Sequence, residues 1–257
     1  MERAARLLLF LDFDGTLAPI VDFPEDAAMP ESTRAVLLAM ARRPDFLLSL
    51  ISGRSIRDLS QRAGVAPVIL AGNHGLEIHG PELDWVEPAA VKLGPALRAL
   101  QGELRARLFP VEGVEIENKN LSTSVHFRRA PNARDAIFQT IDEFADPGLF
   151  RVREGKMVAE ILPRVDADKG TAVRWIRARR EVEGDLTVCA GDDTTDEDLF
   201  RAAGDGLTIK VGDPASTAAE YFVNGADSLR GFLIWLLQIK EPAARPPAVH
   251  EATGNGR

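Results

Sequence analysis

The chain opens with an unbroken apolar run, Leu7 to Leu11, that ends on Asp12 and reaches Gly15 three residues later. Such a run, bounded by glycine, predicts a strand buried on both faces of a parallel sheet. Residues 32–43 then carry helical spacing, with Ser32 as the expected N-cap and Pro44 as the stop. Phe46–Ile51 is a second apolar run, a helix begins at Ser55, and Val68–Ala71 is a third short strand. Strands alternating with helices predict βαβ units.

The rhythm changes in the middle of the chain. Helices are predicted over 94–108 and 133–144, and strands over 114–117, 122–128, 150–153 and 157–162. This order is helix–strand–strand twice, a small antiparallel sheet backed by two helices. Two-residue alternation puts Ser122, Ser124, His126 and Arg128 on one face of their strand, a polar face expected to meet water or ligand. From Asp168 the first rhythm resumes, with helices over 169–180, 196–202 and 228–239 and strands over 186–190 and 207–211. The expected fold class is α/β: a Rossmann-like doubly wound parallel sheet core with an inserted α+β cap domain. Residues 1–90 and 165–240 form the core in this reading and 91–164 the cap. The segment 241–257, rich in Pro, Ala, Gly and charge, is expected to be a disordered tail.

Composition narrows the partners. The net charge of −8 argues against nucleic acid and against an anionic membrane surface. No apolar stretch approaches the roughly 20 residues that span a bilayer, and Leu7–Leu11 is too short for a signal peptide. The single cysteine, Cys189, lies in an apolar run and reads as a buried core thiol. A cytoplasmic enzyme, monomeric and acting on a small molecule, is the expectation.

Four places carry candidate chemistry. Asp12 and Asp14 stand one residue apart at the carboxyl end of the first strand, where open α/β sheets place their ligands. Two such carboxylates persist best beside a cation or around a shared proton. Ser52 and Gly53 precede a helix, where a hydroxyl and backbone N–H groups make an anion site. Lys169 opens another helix at the end that ordinarily disfavours cations, which hints at an anion beside it. Residues 191–197, Gly-Asp-Asp-Thr-Thr-Asp-Glu, supply four acids directly after a core strand, a set suited to a hard cation, Mg²⁺ above all.

Taken in order, Asp12-Phe13-Asp14-Gly15-Thr16, Ile51-Ser52-Gly53-Arg54, Asp168-Lys169-Gly170 and the acidic run at 191–197 resemble the motif set of the haloacid-dehalogenase-like phosphohydrolases. The resemblance implies that Asp12 is a nucleophile, Asp14 a general acid and base, and that Ser52 and Lys169 hold the phosphoryl oxygens. It implies a Mg²⁺ site from Asp12, Asp14 (through its carbonyl) and Asp192, with Asp193 or Asp196 assisting. Further strings, residues 72–77, 117–128, 155–163 and 210–212 with 217–219, are similar to those of the trehalose-6-phosphate phosphatases, with Phe127 and Leu162 where that family usually has Tyr and Arg. Together the two resemblances imply that Ser52, Gly53, Arg54, Asn73, His74, Lys119, His126, Arg128, Lys156 and Glu160 bind the substrate. Glu117 remains open between ligand and surface. The expected reaction is Mg²⁺-dependent hydrolysis of trehalose 6-phosphate through an aspartyl-phosphate. The alternatives are another sugar phosphate, such as a sucrose phosphate or mannosyl-3-phosphoglycerate, or a non-catalytic sugar-phosphate sensor.

Overall fold

The computed structural model describes residues 4–21 and 26–240; the expected tail at 241–257 lies outside them. Strand β1 (Leu7–Asp12) is wholly buried, and its side chains alternate between two cores. Leu7, Leu9 and Leu11 enter one apolar cluster. Leu8 and Phe10 enter a second on the opposite face of the sheet.

The first cluster is completed by α1 (Glu31–Ala41), α2 (Ile56–Ala63) and α8 (Ala226–Ile239), through residues such as Leu37, Leu59 and Leu233. The second is completed by α6 (Lys169–Arg180) and α7 (Glu197–Ala202), through Val173, Ile176 and Leu199. Helices therefore cover both faces, as an all-buried parallel sheet requires.

The main sheet has eight strands. With β2 (Phe46–Ile51), β3 (Ile69–Gly72), β4 (Glu77–Gly80), β5 (Leu83–Val86), β10 (Leu186–Gly191), β11 (Leu207–Val211) and β12 (Tyr221–Val223), the order is β12-β11-β10-β1-β2-β3-β4-β5. Pairing is parallel from β12 to β3. The β4–β5 hairpin adds two antiparallel strands at one edge. The parallel core read from the sequence is present, and β4, β5, β12 and the short α3 (Pro88–Lys92) are additions to that reading. A correction concerns α1, which starts at Glu31 after Pro30, so Ser32 lies inside the first turn and makes no cap.

The chain runs β1-β2-β3 outward on one side of β1 and β10-β11-β12 outward on the other. The carboxyl ends of β1 and β10 therefore flank a switch point, the crevice where open α/β sheets bind ligands.

Between β5 and α6 the chain builds a separate four-stranded antiparallel sheet. Its strands are β6 (Glu115–Asn118), β7 (Thr123–His126), β8 (Phe150–Gly155) and β9 (Val158–Pro163), ordered β6-β7-β9-β8. Helices α4 (Gly94–Leu108) and α5 (Arg134–Phe144) pack on one face through Leu100, Leu104, Ile137 and Ile141 against Val125, Ala159 and Ile161. The other face carries the row Glu117, Ser124, Glu160 and Arg153, directly opposite one another across the strands.

Candidate active site

Asp12 ends β1 and Asp192 follows the last residue of β10, so the switch point brings their carboxylates together. Helix α6 supplies the cation. Asp168 caps its N-terminus, accepting from the Thr171 N–H at 2.6 Å while Thr171 Oγ1 accepts from the Asp168 N–H at 2.8 Å. That cap fixes Lys169 in the first turn, where it is buried. Its Nζ donates to Asp12 Oδ1 at 2.7 Å and to Asp196 Oδ1 at 2.8 Å. Asp196 is in turn held by the Asp193 N–H, 3.0 Å from Oδ2.

Asp12, Asp192 and Asp196 each bring an oxygen within 4.8 Å of the others. Burial and the neighbouring Asp196 push the Asp12 carboxyl well above the ordinary range, against the pull of Lys169. The same two causes raise Asp192 to about 6. Lys169, facing two carboxylates, is held above the usual lysine range in spite of its burial. Three carboxylates against one ammonium leave surplus negative charge, and Asp12 Oδ2 is buried with no hydrogen-bond partner among the described residues. An all-oxygen donor set of this kind fits a hard divalent cation.

Gly15 closes the approach. It turns at φ +85°, and a Cβ there would lie 2.0 Å from Asp192 Oδ2, so only glycine lets the turn after β1 lie against that carboxylate. Thr16 Oγ1 adds a bond to Asp192 Oδ1 at 3.3 Å, and Lys210 Nζ donates to the Asp192 carbonyl at 2.6 Å. Neither was singled out from the sequence as a site residue, although Lys210 sits in one of the quoted strings.

The other expected residues fall as follows. Asp14 lies on the cavity wall with its carboxylate gripped by Arg54 through two 2.8 Å bonds, and Arg54 also reaches Asp58 at 2.6 Å. Asp193 is at the rim, its carboxylate capping the Thr194 N–H at 2.7 Å, outside the three-oxygen group. The helix-start anion site ahead of α2 is narrower than expected. The N–H groups of Ser52, Arg54, Ile56 and Asp58 bond to Ala71 O, Ser52 Oγ, Glu77 Oε1 and Ser55 Oγ. The Ser52 hydroxyl and Gly53 remain on the cavity wall.

The face of the inserted sheet roofs this cavity, which measures about 260 Å³. Lys119, buried between the two sheets, donates to Gly53 O at 3.2 Å and to Glu160 Oε1 at 3.4 Å. His74 Nε2 lies 3.2 Å from Glu160 Oε2. Burial opposes ionisation of Glu160, but His74 and Lys119 outweigh it and hold the carboxyl far below its usual range. Beside them Glu117 accepts from His126 at 3.0 Å, and His126 and Lys119 overcome its burial to lower its pKa as well. Glu117 thus belongs to the cavity, as do His126, Arg128 and Lys156. Arg128 donates to Val21 O at 2.8 Å and to Lys156 O at 3.3 Å.

Asn73 requires a correction. It is fully buried and does not line the cavity; its amide donates to Glu77 Oε1 at 2.7 Å and Lys119 O at 3.0 Å, and accepts from Ser122 Oγ. With its polar atoms so engaged it ties β3 to the Lys119 loop rather than touching a ligand. Ser122 and Ser124 are likewise buried, so the polar face of β7 meets the cavity only from His126 onward.

The model of the trehalose-phosphatase family matches residues 10–224. A trehalose-phosphate phosphatase of Mycolicibacterium paratuberculosis is 39% identical over 204 residues, 76% of this chain and 50% of that protein. The chain spans about half the length of the curated relatives it matches. The C-terminal domain of a Candida albicans trehalose-6-phosphate phosphatase superposes with a TM-score of 0.77 at 25% identity, covering 91% of this chain and 93% of that one. A trehalose-6-phosphate phosphatase related protein superposes with a TM-score of 0.75 at 26% identity, covering 91% and 100%.

Proposed function

The chain belongs to the trehalose-phosphatase family, and from that premise we propose that it hydrolyses trehalose 6-phosphate to trehalose and inorganic phosphate. The observation that carries this reading is one cavity joining two different chemistries. At its floor lie Asp12, Lys169 and Asp192; at its roof lie Lys119, His126, Glu117 and Glu160. The first set suits a phosphoryl group. The second offers paired donors and acceptors, which suit sugar hydroxyls.

In the proposed reaction Asp12 attacks phosphorus and the bond from phosphorus to the sugar oxygen breaks. Lys169 and the Ser52 hydroxyl hold the phosphoryl oxygens while their charge redistributes, since positioning and electrostatics carry most of such a transfer. Asp14 passes a proton to the leaving sugar oxygen, a role that requires it to exchange Arg54 for the substrate. It then takes a proton from the water that attacks the aspartyl-phosphate, which restores Asp12 and releases phosphate. Asp12, the Asp14 carbonyl and Asp192 are the proposed ligands of Mg²⁺, with Asp196 behind them. When bound, that ion neutralises the carboxylates and the transferred group together. Residues 91–164 act as a cap whose polar face selects the sugar.

Release of phosphate from trehalose 6-phosphate, sucrose 6-phosphate and glucose 6-phosphate, measured with and without Mg²⁺, tests the proposal. The expected result is a kcat/KM at least about tenfold higher for trehalose 6-phosphate, lost on chelation of the metal. Equal rates across the three esters would reject the substrate assignment.

A further inference from the structure

We infer that Arg153 is a specificity-determining residue of this site, its guanidinium binding hydroxyls of the sugar ring that lies beyond the phosphate-bearing one. The inference rests on the proposed reading of the cavity as a sugar-phosphate site. None of the strings that carry the family resemblances includes this residue.

Arg153 projects from β8 on the same side of the inserted sheet as Glu160, its direct neighbour across the strands. Side chains opposite one another in a sheet share a face about 5 Å apart. Yet Arg153 makes no ion pair with Glu160, whose oxygens are taken by His74 and Lys119. Arg153 is half-buried, and no hydrogen bond or ion pair to it is found among the described residues. Its companion on that face, Arg151, is tied to the Ala167 carbonyl at 2.6 Å.

The space in front of Arg153 is continuous with the reaction cavity. A second hollow of about 650 Å³ is lined by Arg153, Glu160, Lys156, Arg128 and Asp192. All of these except Arg153 also line the first cavity. The shared walls at Glu160, Lys156 and Arg128 open a way from the Asp12 end of the cavity into the hollow in front of Arg153. A guanidinium presents a planar fork of donors, which matches two adjacent hydroxyl oxygens. A second pyranose ring supplies such a pair; a monosaccharide phosphate ends short of it.

The test is steady-state kinetics of the Mg²⁺-loaded Arg153→Met and Arg153→Lys proteins on trehalose 6-phosphate, with inorganic phosphate as a competing inhibitor. Arg153→Met is expected to raise KM by roughly tenfold or more, from the loss of charge-assisted hydrogen bonds. It should leave kcat and the inhibition constant of phosphate within about twofold, because phosphate occupies only the Asp12 end. Arg153→Lys should recover part of KM. The inference is overturned if KM stays within twofold of the wild type, or if kcat or the phosphate constant shifts by the same factor as KM. An inactive wild type would instead reject the reading of the cavity on which the inference stands.

Discussion

Three buried side chains, Asp12, Lys169 and Asp196, decide what this site can do. Lys169 stands between Asp12 and Asp196 at hydrogen-bond distance from both, and its ammonium offsets part of their negative charge. Replacing one member of a buried ion pair strands the others, typically at a cost of about 3–5 kcal/mol. Lys169→Met is therefore expected to lose turnover and, without metal at pH 7, to lower unfolding stability by about that amount. Urea unfolding checks this, and a stability equal to the wild type would contradict it. Gly15 is the second sensitive position. Gly15→Ala drives a methyl group into the Asp192 carboxylate, so Mg²⁺ affinity is expected to fall by roughly 10–100-fold, as when support around a metal ligand is disturbed. Isothermal titration calorimetry reads that directly, and unchanged affinity would remove Asp192 from the proposed ligand set.

Among the elements, the join between the two sheets is a small polar clasp. Asn73 sits at the end of β3 and holds Glu77, the Lys119 carbonyl and Ser122 at once. Its φ of +50° is one that glycine adopts freely, so Asn73→Gly removes the side chain without backbone strain. Loss of these buried bonds is expected to lower stability by about 2–3 kcal/mol, seen as a lower urea midpoint at unchanged slope. This element was misread from the sequence because an asparagine in a motif beside a site looks the same whether it faces a ligand or braces the loop that does. Most of the fold was legible: the long apolar runs β1, β2 and β10, the strongly periodic α4 and the capped α6 stand where their patterns put them. The strands β4, β5 and β12 were not, being three or four residues long and mixed in polarity. Strands this short owe their form to a neighbour's backbone more than to their own pattern. The three-carboxylate group was legible because Asp12 and the 191–197 run both follow apolar strands. The pairing of Glu117 with His126 was not, since it depends on the register of β6 against β7. Arg153 escaped for the same reason, its place being set by the register of β8 against β9.

At the scale of the molecule, a net charge of −8 stands against the anionic substrate proposed for it. The contradiction is resolved locally, by Lys169 at the floor and by Lys119, Arg128 and Lys156 around the cavity, because screening confines the remaining charge to about 8 Å in physiological salt. Among the described residues no helix is long and apolar enough to cross a membrane. The acidic floor also ties metal binding to pH. Asp192, raised to about 6 in the metal-free fold, is favoured in its protonated form there. Its contribution to stability is thus present below the ordinary carboxylate pKa and is lost as pH rises through 6. Mg²⁺ requires the deprotonated form, so the ion competes with protons below pH 6 and relieves repulsion above it. The rise in Tm produced by Mg²⁺ is expected to be clearly larger at pH 7.5 than at pH 5, by differential scanning fluorimetry; an increment independent of pH would detach the metal from this cluster.

The most direct measurement is phosphate release from trehalose 6-phosphate by the Asp12→Asn protein beside the wild type, both Mg²⁺-loaded and both shown to be folded by circular dichroism. Asparagine keeps the size of the side chain and an acceptor for Lys169 but cannot displace the sugar oxygen. Turnover is expected to fall by a factor on the order of 10⁴ or more, the scale on which removal of a covalent nucleophile is felt. A variant that still turns over within about tenfold of the wild type, a loss far below that scale, would show that phosphorus is attacked by something other than Asp12.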